Sequence, residues 1–444
     1  MKPSTEPNRR TFLKGAAFAS TIQFLPKNVF GAPGKPSANN KLNIAAIGVG
    51  GKGYHDVRGV PTENIVALCD VDTRASARAA KGLSNPVIYQ DFRKMLETEK
   101  SIDAVMIATP DHSHAVITMM ALKMGKHVFC QKPLTHTVHE AIEIGKAAKA
   151  AGVATQMGNQ AQATEGARLV SEFIMDGAIG KVREVHAWSN RSNPISPRGI
   201  PRPSDSPAVP EQLDWDLWLG PAPERPYHPT YHPFSWRGWW DFGSGVLGDI
   251  GCHQQSAVYK ALNLGWPESV EASSTHLHAS EAVKRETAPH ASIITYQFAA
   301  TDHHGPITLR WYDGGMMPVF PEGVDSSRAL FLNDGCMVVG DQGALHNHRL
   351  LPEEKMKDYG KPPRVLERSP GHYQEWLRAC KGGPKAGSDF VDHAAHLTAV
   401  VQMGNIAIRT GGKLYWDPEK LRFKNSDRAN ALMAPPYRAG WSLT

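Results

Sequence analysis

Lys41 to Asp72, KLNIAAIGVGGKGYHDVRGVPTENIVALCDVD, is the stretch on which the fold turns. An apolar run (Leu42, then Ile44 to Ile47) leads into glycines at Gly48, Gly50 and Gly53, and a second apolar run, Ile65 to Leu68, ends in Asp70. That order predicts a strand, a glycine turn, a helix and a parallel strand. The three glycines serve different ends. Gly48 permits the tight turn, Gly50 lets the backbone approach a pyrophosphate, and Gly53 allows helix to pack closely on strand. Amides at the helix start then suit an anion. Asp70 follows Gly53 by 17 residues, near the separation at which a strand-end carboxylate reaches both hydroxyls of an adenosine ribose. A carboxylate there repels a 2′-phosphate, so the expected cofactor is NAD rather than NADP.

The length of 444 residues suits two or three domains, and 41% apolar with 21% charged residues describes a globular chain. The formal charge of +6 is concentrated in the first 40 residues, whose six basic residues and one acid account for all but one unit of it. The remainder is close to neutral, which argues against a nucleic-acid or acidic-membrane partner. The basic start is read as an address. Asn8-Arg9-Arg10-Thr11-Phe12-Leu13-Lys14 precedes the mildly apolar Gly15 to Leu25, a pattern that resembles a twin-arginine signal and predicts export, with a periplasmic destination. No cysteine near it suggests a lipid anchor, and no later run has the length of a membrane span. Five scattered cysteines (Cys69, Cys130, Cys252, Cys336, Cys380) show no C-x-x-C spacing and suggest buried thiols rather than a disulfide framework.

Strand and helix patterns keep alternating after Asp70. Helices are expected at Thr73–Lys81, Phe92–Glu99, Ala115–Met124 and Val138–Ala151, and strands at Val87–Tyr89, Ala104–Ile107, His127–Cys130 and Val153–Gln156. This is the signature of a doubly wound parallel sheet, whose ligands lie beyond the carboxyl ends of the strands. Asp70, the loop Ala108 to His114, and Lys132 all fall at such ends.

ATPDHSHA (108–115), ALKMGKHVFCQKP (121–133) and GDIGCH (248–253) together resemble the Gfo/Idh/MocA oxidoreductases. The resemblance covers almost all of the chain after the leader. It implies a Rossmann domain at 41–160 after a leader and linker at 1–40. It further implies a C-terminal substrate and oligomerisation domain at 161–444 built on a large open, mostly antiparallel sheet, with some late helices returning to the Rossmann domain. Members move a hydride between NAD(P) and a sugar or cyclitol carbon. In this light Thr109, Pro110, His112, His114 and Lys132 are candidate cofactor contacts, and a homo-oligomer is expected.

Lys132 matches the lysine of the family's E-K-P motif, and its ammonium is expected to stabilise charge developing on the reacting oxygen. The preceding residue is Gln131 where the family has glutamate; an amide can orient the lysine but cannot hold it by charge. Asp249 and His253, four apart on an expected helix from about Gly248 through Leu262, face the same way. His253 is a candidate general base and Asp249 a candidate orienting acid; an acid near a helix start and a packed histidine would look the same. Ser256 stands where members often carry a further acid. Trp236, Trp239, Trp240 and Arg237 offer an aromatic, charged surface for a sugar ring, with one tryptophan expected to stack and the others to be buried.

Pro194 to Pro233 holds 11 prolines in 40 residues, too many for interior helix or strand, yet is rich in aromatic residues that linkers lack. It reads as an ordered loop crossing the site, with Arg198, Arg202, Tyr227 and His228 as candidate contacts. Further strands are expected at Val182–Ser189, Ser269–His276, Ser292–Phe298, Ile307–Trp311, Ala329–Phe331 and Cys336–Val339, and helices at Gln162–Gly177, Tyr373–Cys380 and Phe390–Arg409. His303-His304 and the pair His393, His396 lack acids or cysteines at ligand spacing, so packing is preferred to metal binding. Three functions remain open at this level. They are an exported NAD-dependent oxidoreductase acting on a carbohydrate or cyclitol, a glycoside hydrolase that oxidises and re-reduces its substrate with a resident NAD, and a non-catalytic cofactor-binding protein.

Overall fold

A computed structural model of the chain describes residues 40–191, 197–321 and 334–443. The candidate leader, the first residues of the proline-rich segment and the strand expected at Ala329–Phe331 lie outside the described residues. The first sheet is built from β1 (Asn43–Ile47), α1 (Lys52–Arg58), β2 (Asn64–Cys69), α2 (Thr73–Ala80), β3 (Val87–Tyr89), α3 (Phe92–Thr98), β4 (Ala104–Ile107), α4 (Asp111–Lys123), β5 (His127–Gln131), α5 (Val138–Ala151) and β6 (Thr155–Gly158). Its six strands are parallel in the order β3-β2-β1-β4-β5-β6. The order reverses between β1 and β4, which opens a crevice at their carboxyl ends.

Both faces of the central strands of this sheet are buried, as parallel strands require. Ala45 and Ile47 of β1 face one core with Val105 and Ile107, whereas Ile44 and Ala46 face another with Val57, Phe129, Trp376 and Leu377. The last two come from a helix far along the chain, so a late element does return to the first sheet. α5 starts in a capping box, Thr137 Oγ1 accepting from Glu140 N while the Glu140 carboxylate accepts from Thr137 N, and it stops at Gly152, whose φ is +64°. β6 starts two residues later than the pattern suggested.

The second half begins with α6 (Glu165–Met175) and β7 (Val182–Ser189), continues through α7 (Gly245–Gln254), α8 (Ser256–Leu262), β8 (Ser269–Ser274), β9 (Ser292–Phe298), β10 (Ile307–Asp313), β11 (Gly335–Gly340), β12 (Ala344–His346) and β13 (Arg349–Leu351), and ends with α9 (His372–Cys380), α10 (Ala395–Thr410), β14 (Lys413–Asp417), β15 (Arg422–Phe423) and α11 (Asp427–Met433). A nine-stranded sheet runs β13-β12-β11-β7-β10-β9-β8-β14-β15, antiparallel except for β7 beside β10. The alternating residues of β9 and β10 bury one side, Ile294, Tyr296 and Phe298 against Ile307, Leu309 and Trp311. β8 is shorter than expected because Thr275–His278 tightens into a 3-10 turn capped by Ser274. β12 to β15 escaped the sequence reading; runs of two to five residues carry too few alternations to register. α10 lies between the two sheets: Ala395 packs on Gly145 of α5, and Gly404 leaves room for the Tyr296 hydroxyl of β9. No helix among the described residues is long and apolar enough to cross a membrane.

Candidate functional site

The glycine turn after β1 is shaped by close backbone approach. Gly48 has φ +77°, and a Cβ there would lie 2.6 Å from Thr109 N and 2.7 Å from the Ala108 carbonyl carbon. A Cβ on Gly53 would lie 1.9 Å from Gly48 O. Gly50 is different: a Cβ would meet only Ala75 Cβ at 3.5 Å and Asp70 Oδ2 at 3.8 Å, so the space over it is open. Asp70 closes the turn, Oδ2 accepting from Val49 N at 2.8 Å and Oδ1 from Asp72 N at 3.0 Å. Burial pushes its carboxyl up to about 6 against those bonds. Each oxygen keeps a lone pair for a ribose hydroxyl. An open glycine shelf with a carboxylate at its edge therefore fits a dinucleotide.

α4 begins at Asp111, four residues before the expected start, because Pro110 is extended (φ −62°, ψ 153°) and serves as N-cap. Ser113 Oγ reaches back to Thr109 Oγ1 at 2.8 Å and Pro110 O at 3.0 Å. His112 and His114, expected as cofactor contacts, turn their ring nitrogens to backbone carbonyls. The ring nitrogens of His112 lie 3.0 Å from Trp218 O and 3.3 Å from Phe242 O, and those of His114 lie 2.8 Å from both Pro133 O and Thr109 O. Both imidazoles are buried and fasten loops together.

At the end of β5, Lys132 precedes Pro133 across a cis peptide bond. Lys132 Nζ is paired with Asp249 Oδ1. Asp249 and His253 lie on α7, which starts at Gly245, earlier than expected, and is interrupted at Gln255 before α8. Three groups fix the start of α7 through Ser244: its N–H donates to Asp111 Oδ2 at 3.1 Å, its carbonyl accepts from Asn405 Nδ2 at 2.9 Å, and its hydroxyl oxygen accepts from Gln402 Nε2 at 2.9 Å. Asp249 also receives Arg191 Nη1 at 3.0 Å on Oδ2 and Arg237 Nε at 3.4 Å on Oδ1. Burial opposes its charge, but Lys132, Arg237 and Arg191 hold the carboxyl well below the usual range.

The expectation that His253 titrates near working pH is corrected. Burial, with Lys132 adding to it, pushes the imidazole down to about 3, so it is neutral. Asp111, which the sequence reading left in a loop, moves the other way: burial raises it to about 7, against the pull of Lys132 and Arg237. Arg191 was missed as well. It stands two residues past the end of β7, where no periodicity marks it.

Gln131 does not orient Lys132. Its Nε2 donates to Asp56 Oδ2 at 2.8 Å, and Asp56, buried on α1, also accepts from Tyr373 OH at 2.6 Å and pairs with Lys52. Ser256 Oγ lies 2.8 Å from His393 Nε2 and accepts from Asn159 Nδ2 at 3.1 Å. The aromatic surface is also corrected, since all three tryptophans are buried. Trp239 donates from Nε1 to Thr230 O at 3.0 Å and meets Tyr231 edge-on, Trp240 donates to Lys284 O at 3.2 Å, and Trp236 stacks under the Arg237 guanidinium at 4.3 Å. Tyr227 packs edge-on against Trp215 at 5.3 Å, in the aromatic cluster that orders the proline-rich segment, and not against Lys132. Arg198, buried, donates from Nη2 to Arg191 O at 3.2 Å and so supports the backbone of that arginine. Arg202 pairs with Glu286, and His228 lies 3.3 Å from Asp205. His393 and His396 pack against Ser256 and Trp266 respectively, and His304 against its own turn.

Residues 42–159 match the model of an oxidoreductase family with an NAD-binding Rossmann fold, and residues 203–292 and 389–443 match that family's C-terminal alpha/beta domain. A levoglucosan dehydrogenase of Pseudarthrobacter phenanthrenivorans is 28% identical over 195 residues, 44% of this chain and 41% of the relative. A 2,7-anhydro-N-acetylneuraminate hydratase of Escherichia coli is 28% identical over 160 residues, 35% of this chain and 42% of the relative. The matched stretch thus spans less than half the length of either. The WlbA dehydrogenase of Bordetella pertussis, solved with NADH and UDP-GlcNAcA, shares the fold at a TM-score of 0.57 and 17% identity, over 85% of this chain and 99% of that one.

Proposed function

The chain belongs to the Gfo/Idh/MocA oxidoreductase family, and from that premise we propose that it is an NAD-dependent enzyme that moves a hydride at a hydroxyl-bearing carbon of a carbohydrate or cyclitol. The observation that carries this reading is the meeting of Lys132, from the end of a Rossmann strand, with Asp249 and His253, from a helix of the second half. A bound nicotinamide supplies the hydride acceptor or donor. The open shelf over Gly50, the backbone turn at Gly48 and the Asp70 carboxylate would hold the dinucleotide, and the carboxylate supports NAD over NADP. Lys132, freed from Asp249 by substrate, would donate a hydrogen bond to the reacting oxygen. His253, neutral and therefore able to accept, would receive the hydroxyl's hydrogen bond, while the cations beside it oppose full protonation. Asp111, with a carboxyl near 7, is the buried group best matched to carry the released proton.

The basic Arg9-Arg10 start supports export by the twin-arginine route, and the family supports a homo-oligomer. Reduction of NAD⁺ by a panel of sugars and cyclitols, followed through NADH absorbance with Lys132→Ala alongside, tests the proposal. Turnover unchanged in Lys132→Ala would remove the assignment. A hydratase among the relatives is compatible with a second reading, a glycoside hydrolase that oxidises, eliminates and re-reduces its substrate with a resident NAD. Stoichiometric NAD(H) released on denaturing protein purified without added nucleotide, together with product formation and no net NADH, would select it.

A further inference from the structure

Charge at the Lys132–Asp249 centre does not balance. One carboxylate, Asp249, faces Lys132, Arg191 and Arg237, and none of these three cations has another carboxylate partner among the described residues. The second acid, Asp111, is buried, accepts from Ser244 N, and is only partly ionised near neutrality. His253 is neutral and adds no counter-charge. The surplus therefore amounts to at least one positive charge, held where water is partly excluded. Unpaired cations in such a place are costly unless a ligand answers them.

The uncommitted atoms indicate where the answer docks. Arg191 uses one terminal nitrogen on Asp249, and its side chain is 44% exposed; Arg237 uses Nε on Asp249 and Nη1 on Phe234 O, leaving Nη2. Two guanidinium edges beside a lysine suit a planar anion gripped in a fork. Resting on the oxidoreductase reading above, we propose that the substrate is an anionic carbohydrate of the uronic- or aldonic-acid class, its carboxylate seated on Arg191 and Arg237 and its reacting hydroxyl at Lys132.

Isothermal titration of the full chain, with and without NAD⁺, against D-glucuronate and D-galacturonate, their neutral parents D-glucose and D-galactose, and a hexose phosphate tests this. At least one uronate should bind roughly tenfold or more tightly than its neutral parent, the scale of one charge-assisted pair. Arg191→Gln should erase that advantage, and Arg191→Lys should restore part of it. Neutral sugars binding as well as uronates, the hexose phosphate binding best, or neither uronate binding would each overturn the assignment. The two readings separate cleanly. NADH formed from neutral sugars without a uronate preference sinks the charge assignment and leaves the oxidoreductase. Uronate binding lost in Arg191→Gln, with no hydride transfer to or from any bound sugar, sinks the oxidoreductase and leaves the anion site.

Discussion

Lys132 is the residue on which the proposed chemistry depends, and its neighbour Asp249 shows why it is held ready. An ion pair fixes the ammonium at a strand end without a glutamate in the preceding position. Lys132→Ala is expected to lower kcat by about two to three orders of magnitude, the range for removing one donor to a developing oxyanion. NAD binding, measured by quenching of tryptophan fluorescence, should be retained. Asp111 gives a second test. Its folded carboxyl lies near 7 against an ordinary value of 3.8, so between those limits the folded state keeps a proton that the unfolded chain releases. Stability from this group is therefore present at low pH and lost as pH rises through that window. Asp111→Asn has no proton to give up. Thermal melts should show the variant gaining on the wild type between pH 4 and pH 7, by on the order of a few kcal/mol; parallel curves would rule out the buried, protonated carboxyl.

At the scale of elements, the glycine turn and the Asp56 link explain how distant parts of the chain are brought to one place. Gly53→Ala would drive a Cβ to 1.9 Å from Gly48 O, whereas a Cβ on Gly51 meets nothing within 4 Å. The first substitution is expected to cost about 2 kcal/mol or more in urea unfolding and the second within about 0.5 kcal/mol. Asp56 joins α1, the end of β5 through Gln131, and α9 through Tyr373. Gln131→Glu would set a second carboxylate against Asp56, a like-charge pair in a buried place. A loss of about 1–3 kcal/mol is expected. The transposed double variant Asp56→Asn with Gln131→Glu should recover most of it, because the number of acids at the junction is again one. Recovery measured by the urea midpoint would show that the carboxylate absent at 131 is supplied from 56.

For the whole molecule, burial of neutral histidines sets the acid limit. His112, His136, His232, His346 and His372 are pushed down to about 4 and His253 to about 3, chiefly by burial. A histidine whose folded value lies below the unfolded 6.5 contributes stability that is full above 6.5 and falls as pH drops toward the folded value. Six such groups acting together outweigh the opposing trends of Asp111 and Asp70 over the same range. The melting temperature should thus fall steeply from about pH 6.5 to about pH 4, more steeply than carboxylate titration alone produces. Replacing His346, which stacks on Trp188, with glutamine should flatten that fall measurably.

Local pattern alone determined much of this protein. The parallel sheet was legible from alternating apolar runs and from glycines spaced for a turn, because backbone sterics and burial on both faces leave few other solutions. Asp249 and His253 were legible as one helical face, and Lys132 as a strand-end residue fixed by a following proline. Tertiary structure decided the rest. The start of α4, the inward turn of His112 and His114, the burial of Trp239, the gathering of Arg191 and Arg237 on Asp249, and the link from Gln131 to Asp56 all depend on partners that are remote in the chain and near only in space. Charge state followed the same division. The sequence names which groups can ionise, but desolvation and neighbouring charge act through space, and only the folded arrangement made His253 neutral, Asp249 strongly acidic and Asp111 poised near neutrality.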